Sequence, residues 1–158
     1  MHVLNEKLKR LEPIEKKCIF CSYNNMVSMD DCYFVPLFKE NDRTNIIVYR
    51  SVKYSKILIG ISRCSTCAAI HEAAKTKATI YAVLAGAGVF GFSLLFQNFP
   101  VGFGGFLSGI IILVGSQEYF ARKLVFKKDI LDLKRGAEIN DTVQDFVING
   151  WSFTQPSA

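Results

Sequence analysis

Ala78 to Gln117 reads ATIYAVLAGAGVFGFSLLFQNFPVGFGGFLSGIIILVGSQ, forty consecutive residues without a formal charge. All 19 Lys and Arg and all 14 Asp and Glu of the 158-residue chain lie outside it, so the mean hydropathy of +0.22 averages an oily middle with two charged ends. Crossing the ~30 Å hydrocarbon core of a bilayer takes ~20 apolar residues in a helix that rises ~1.5 Å per residue. Forty residues therefore leave room for two spans, expected at 78–96 and 101–119. Gln97-Asn98-Phe99-Pro100 is the expected turn, because it holds the first amides of the run and a proline that a helix interior rejects. Ala78, Ala82 and Gly86 recur every four residues, as do Ala87 and Gly91, and Gly105 to Gly109 is a GxxxG. Such spacing lets helix backbones approach closely where lipid gives no hydrophobic drive. A soluble helical hairpin would show a polar face, and this stretch has none.

The flanks set an orientation. Lys75 and Lys77 precede the first span, Arg122, Lys123, Lys127 and Lys128 follow the second, and the turn carries no charge. Positive flanks stay on the cytoplasmic side, so both termini are expected there, with these six cations at the membrane surface. Residues 1–17, MHVLNEKLKRLEPIEKK, are charged throughout and lack the apolar core of ~7–15 residues that a secretory signal needs.

Five cysteines precede the oily run. Four form two pairs, Cys18-Ile-Phe-Cys21 and Cys64-Ser-Thr-Cys67, and the fifth is Cys32. Two residues between cysteines allow a turn that aims both sulfurs at one ion, and two such turns supply the four thiolates of a tetrahedral zinc site. The reducing cytosol favours thiolate–metal bonds over disulfides, which agrees with the expected orientation. The metal ligands are therefore expected to be Cys18, Cys21, Cys64 and Cys67, with Zn2+ as cofactor. His71, in Cys64-x2-Cys67-x3-His71, is the alternative ligand. Cys32 reads as a half-buried free thiol, and His2, in an expected mobile terminus, has no assigned role.

Strand-like stretches lie between the pairs at 33–38 (YFVPLF), 45–49 (NIIVY) and 56–62 (KILIGIS), with 39–44 (KENDRT) as a turn. With its four cysteines, the region of about residues 16–72 resembles zinc-ribbon proteins at class level. The resemblance implies that each cysteine pair caps a β-hairpin. A structural zinc contributes ~10–16 kcal/mol in small peptides, and a domain this small needs such a staple.

After Cys67, AAIHEAAKTK has helix-forming composition without Gly or Pro, so the second pair is expected to run into the first span as one rod. Residues 120–136 are amphipathic and read as a helix extension, on anionic head groups or against the zinc domain. Asn140 or Asp141 can cap a short helix with Val143, Phe146 and Val147 on one stripe, and Gly150 fits its end. Trp151 is the expected docking residue of the tail.

No glycine-rich phosphate loop, Ser-His-Asp set or HExxH occurs, and neither span holds an ionisable residue. No catalytic residue is assigned. Two other classes remain: a membrane thiol–disulfide oxidoreductase using Cys64 and Cys67, with Arg63 and a helix N-terminus lowering the Cys64 pKa, and a membrane-tethered nucleic-acid binder. The latter rests on 13 basic against 8 acidic residues in 1–77, including Arg50, Lys53 and Lys56 beside Tyr49 and Tyr54. It is the weaker class, since the same charges serve as the positive-inside signal.

The expected fold class is an α+β membrane protein, with a small β-rich zinc ribbon (1–72), a two-helix transmembrane hairpin (73–120) and a helical cytoplasmic tail (121–158). The expected function is that of a non-enzymatic interaction or assembly module. Its expected partners are the lipid bilayer and either a protein partner or a second copy bound through the small-residue helix faces.

Overall fold

The computed structural model describes residues 2–46, 49–95 and 99–157. Along the chain come β1 (His2–Asn5), β2 (Arg10–Pro13), a 3-10 turn at Met29–Asp31, β3 (Tyr33–Ile46), β4 (Tyr49–Ile61), α1 (Ser65–Leu94), α2 (Phe99–Phe126), α3 (Leu133–Ile139) and α4 (Asp141–Ile148). The architecture is α+β, with an N-terminal sheet followed by four helices among the described residues. Residues 1–65 and 133–158 form one compact unit, and 66–132 form a second.

In the first unit the strand order is β1-β2-β4-β3; β2 runs parallel to β4 and the other pairs are antiparallel. Period-two alternation places Val35 and Leu37 of β3 beside Ile59 and Ile61 of β4 on one face, and all four are buried. Val143 of α4 and Phe20 are also fully buried in this unit. The β1–β2 hairpin replaces the mobile terminus expected from sequence. His2 Nε2 lies 2.8 Å from the Gly60 carbonyl, which can only accept, so Nε2 carries the proton. Its Nδ1 then accepts from the Thr142 hydroxyl at 2.9 Å.

The expected turn at 39–44 is strand. β3 runs unbroken to Ile46, with a bulge between Glu40 and Asp42, and β4 begins at Tyr49. Polar composition gave a turn signal, but the pairing partner overrides it: Lys53 faces Asp42 across the ladder, and Arg43 grips Glu40 through two 2.8 Å hydrogen bonds. Residues 47 and 48 of the expected 45–49 strand lie outside the described residues.

The C-terminal tail closes as its residues dictate. The Asn140 side chain accepts from Val143 N at 3.2 Å as the N-cap of α4. At the other end Gly150 takes φ +85°, Gly150 N bonds to Val147 O and Trp151 N to Phe146 O. This is a Schellman closure, and its accompanying apolar contact is present as Phe146 against Trp151 at 5.5 Å. Half-buried Trp151 thus packs on α4, and the next residue, Ser152, exchanges two 2.8 Å hydrogen bonds with Phe38 of β3.

In the second unit α1 and α2 have 30 and 28 residues, about 45 and 42 Å, longer than the spans read from the sequence. Pro100 sits in the first turn of α2, where its missing N–H costs nothing. Phe96, Gln97 and Asn98 lie outside the described residues. The two helices are antiparallel: Tyr81 meets Phe120, Phe90 meets Phe106, and a Cβ on Gly86 would sit 2.8 Å from the Gly109 carbonyl. Ala78, Ala82 and Gly86 are buried. Of the two spans expected at 78–96 and 101–119, only the second is matched among the described residues by a helix long and apolar enough to cross a membrane, Gly102–Phe126, and only 11% of its apolar window is buried. The amphipathic segment 120–136 is not one helix; α2 stops at Phe126 and Asp129 takes φ 55°.

Candidate metal centre

Cys18 and Cys21 occupy a tight turn tied at its base by a Lys17–Asn25 bridge. Met26 N bonds to Lys16 O and Cys18 N to Asn24 O, while Ser22 N returns to Cys18 O at 3.0 Å. To complete that turn Ser22 adopts φ 59°, in the left-handed region that favours glycine. Ser22→Gly is therefore expected to raise stability by up to about 1 kcal/mol, read from the thermal midpoint at fixed metal.

The second pair is positioned differently. β4 ends at Ile61, Ser62 to Cys64 cross to α1, and Cys67 lies in its first turn. The two β-hairpins that the ribbon resemblance implies are not both formed: Cys18 and Cys21 sit in a turn closed by a single isolated bridge, and Cys64 and Cys67 open a helix. A helix start suits thiolates, because its free N–H groups and dipole favour negative charge. The crossing segment is fastened on both sides. Ile19 N bonds to Ser62 O, the Ser62 hydroxyl donates to Glu15 O, and Arg63 Nε donates to Asp31 O at 2.8 Å.

These supports bring the four Sγ atoms within 4.8 Å of one another. Cys18, Cys64 and Cys67 are 1%, 2% and 2% exposed, and Cys21 is half-exposed. Cys21 Sγ and Cys64 Sγ are 3.8 Å apart. A disulfide needs about 2.05 Å, whereas the edge of a tetrahedron with metal–sulfur bonds of about 2.3 Å is about 3.8 Å. Burial pushes the Cys18 thiol up, against a lone thiolate at that position. A divalent cation offsets that penalty, so the donor set fits a four-coordinate thiophilic metal. A metal held by all four would have its coordination sphere closed by protein, with no position left for substrate.

The knuckle is also plugged into the core. The Phe20 ring, between the two cysteines, is buried edge-on to Tyr33 at 6.5 Å. The ring also lies against Gly136 of α3, where any Cβ would collide with it. Nothing in the local sequence signalled that glycine's role.

His71 is not in the cluster; its Nε2 donates to the Leu131 carbonyl at 2.9 Å. Cys32 is not in it either. It is buried rather than half-buried, with Sγ 3.3 Å from Ile61 O, and burial pushes its thiol up to about 11. The folded chain keeps that proton where an unfolded thiol, at its ordinary 9.0, loses it. This contribution to stability is thus complete below about pH 9 and falls as pH rises toward 11. The urea midpoint should decline through that window, less steeply in Cys32→Ala, and iodoacetamide should label Cys32 at pH 8 only in denaturant.

Arg63, which the redox class places beside Cys64, lies over the Tyr33 ring with its Nε on Asp31 O. Lys75, Lys77, Arg122, Lys123, Lys127 and Lys128 are all exposed. Comparison of the chain with protein-family models, with curated proteins and with solved structures finds no match.

Proposed function

We propose that this chain is an integral membrane protein of two spans whose cysteine cluster holds one structural zinc, and that the zinc-stapled unit is a non-enzymatic interaction or assembly module. The convergence of four sulfurs from two distant pairs carries the zinc part of this reading. Zinc is favoured because it takes four thiolates tetrahedrally without redox chemistry, and because a closed site holds a fold rather than turning over a substrate.

The membrane part is supported by bare apolar surface. A core helix of a soluble protein is mostly covered, yet Leu84 of α1 is 64% exposed and Ile111 of α2 71% exposed, with Ile80, Phe92, Phe103 and Val114 exposed as well. A patch of this extent suits lipid. Since α1 and α2 are antiparallel, Lys75 and Lys77 lie at the same end of the pair as Arg122 and Lys123, which favours cytoplasmic termini. Gly86 is already engaged with Gly109, so self-association would use Ala87 and Gly91, both exposed.

Zinc content of the full chain purified in mild detergent, together with a reporter fused to each terminus, tests this reading. One zinc per chain and two cytoplasmic reporters are expected; a metal-free folded protein or a translocated terminus would refute the corresponding half.

A further inference from the structure

We propose that Cys21 is the oxidation site of the centre, and that a two-electron oxidant such as hydrogen peroxide joins it to Cys64 and releases the metal. This inference rests on the structural-zinc reading. Cys21 is the one residue of the four that is not buried in the fold, the other three being 1–2% exposed. It sits at the outer end of the knuckle turn, next to Ser22 and the 92% exposed Tyr23. Cys18, by contrast, is fixed deep in the fold by the bond from its own N–H to Asn24 O and that of Ile19 to Ser62 O. The exposed end of that turn is thus the point of attack. Cys21 Sγ must close on Cys64 Sγ from 3.8 Å to about 2.05 Å.

The chemistry balances with peroxide alone. The Cys21 thiolate attacks one peroxide oxygen, the O–O bond breaks, and a sulfenic acid and hydroxide result. The Cys64 thiolate then attacks the Cys21 sulfur, the S–O bond breaks, and the second hydroxide leaves as the S–S bond forms. The two sulfurs together lose two electrons, peroxide gains them, and two protons from solvent complete two waters. Cys18 and Cys67 remain, too few to hold the ion. Cys32, buried and hydrogen-bonded to Ile61 O, takes no part.

The test treats the full zinc-loaded chain in detergent with hydrogen peroxide, after its zinc has been counted. Released zinc is followed with a chromogenic chelator and disulfides are mapped on non-reduced peptides. In parallel, a brief N-ethylmaleimide pulse of untreated protein ranks the cysteines by labelling. The expected result is one zinc lost per Cys21–Cys64 bond formed, reversal by reductant plus zinc, and Cys21 labelled before the other three ligands. A bond within either pair, release with no Cys21–Cys64 bond, zinc retained while Cys21 is oxidised, or Cys64 or Cys67 labelled first would overturn the inference and leave the structural zinc standing. A protein that contains no zinc before treatment would overturn both.

Discussion

Cys64→Ser is expected to strip the metal and unfold the unit formed by residues 1–65 and 133–158. Cys64 is buried, with its Sγ within 4.8 Å of the other three. A serine hydroxyl is not a thiolate, and three sulfurs would face each other around a lost cation. Structural zinc contributes about 10–16 kcal/mol in small folding units, comparable with the whole stability of a domain, about 5–15 kcal/mol. No reserve remains to absorb such a loss. Zinc content, limited proteolysis and near-ultraviolet circular dichroism report it together. Cys32→Ser provides the contrast: it replaces the thiol that donates to Ile61 O with a hydroxyl, keeps the four clustered cysteines and should retain metal. Full zinc and unchanged protease resistance in Cys64→Ser would mean that the cluster does not hold the fold.

The second large effect belongs to Phe20. Replacing a fully buried phenylalanine by alanine costs about 3–5 kcal/mol, from lost transfer energy and the cavity left behind. Here the ring also braces the turn that carries two ligands, between Tyr33 and Gly136. Phe20→Ala should therefore lower the urea-derived stability by that amount at saturating zinc. Gly136→Ala should destabilise the wild-type chain and be tolerated in the Phe20→Ala background, because the atoms it strikes have gone. Additive losses would contradict the direct contact.

Several features could be read from residue type and spacing because one local interaction fixes each of them. The convergence of Cys18, Cys21, Cys64 and Cys67 follows from two x2 spacings and the geometry of a thiolate tetrahedron. The closure of α4 follows from Asn140 and Gly150, each filling a cap that few other residues fill. The close approach of Gly86 and Gly109 follows from the four-residue recurrence of small side chains.

What escaped the sequence depends on partners far along the chain. β1 and β2 have four residues each and weak strand composition; they exist because β2 finds Leu58 and Ile59 of β4. The KENDRT stretch reads as a turn until Ser51–Ser55 is laid beside it. The second cysteine pair gave no sign that it would open a helix rather than cap a hairpin, since CxxC spacing is compatible with both. Gly136 is ordinary in sequence and decisive in space, because the ring it admits lies more than a hundred residues earlier.

Zinc-edge X-ray absorption on the intact chain in detergent, combined with elemental analysis of the same sample, tests most directly whether these four cysteines form a structural zinc site. One zinc per chain surrounded by four sulfurs at about 2.3 Å is the expected result. Nitrogen or oxygen in the first coordination sphere, a different metal, or no stoichiometric metal in a folded protein would contradict it.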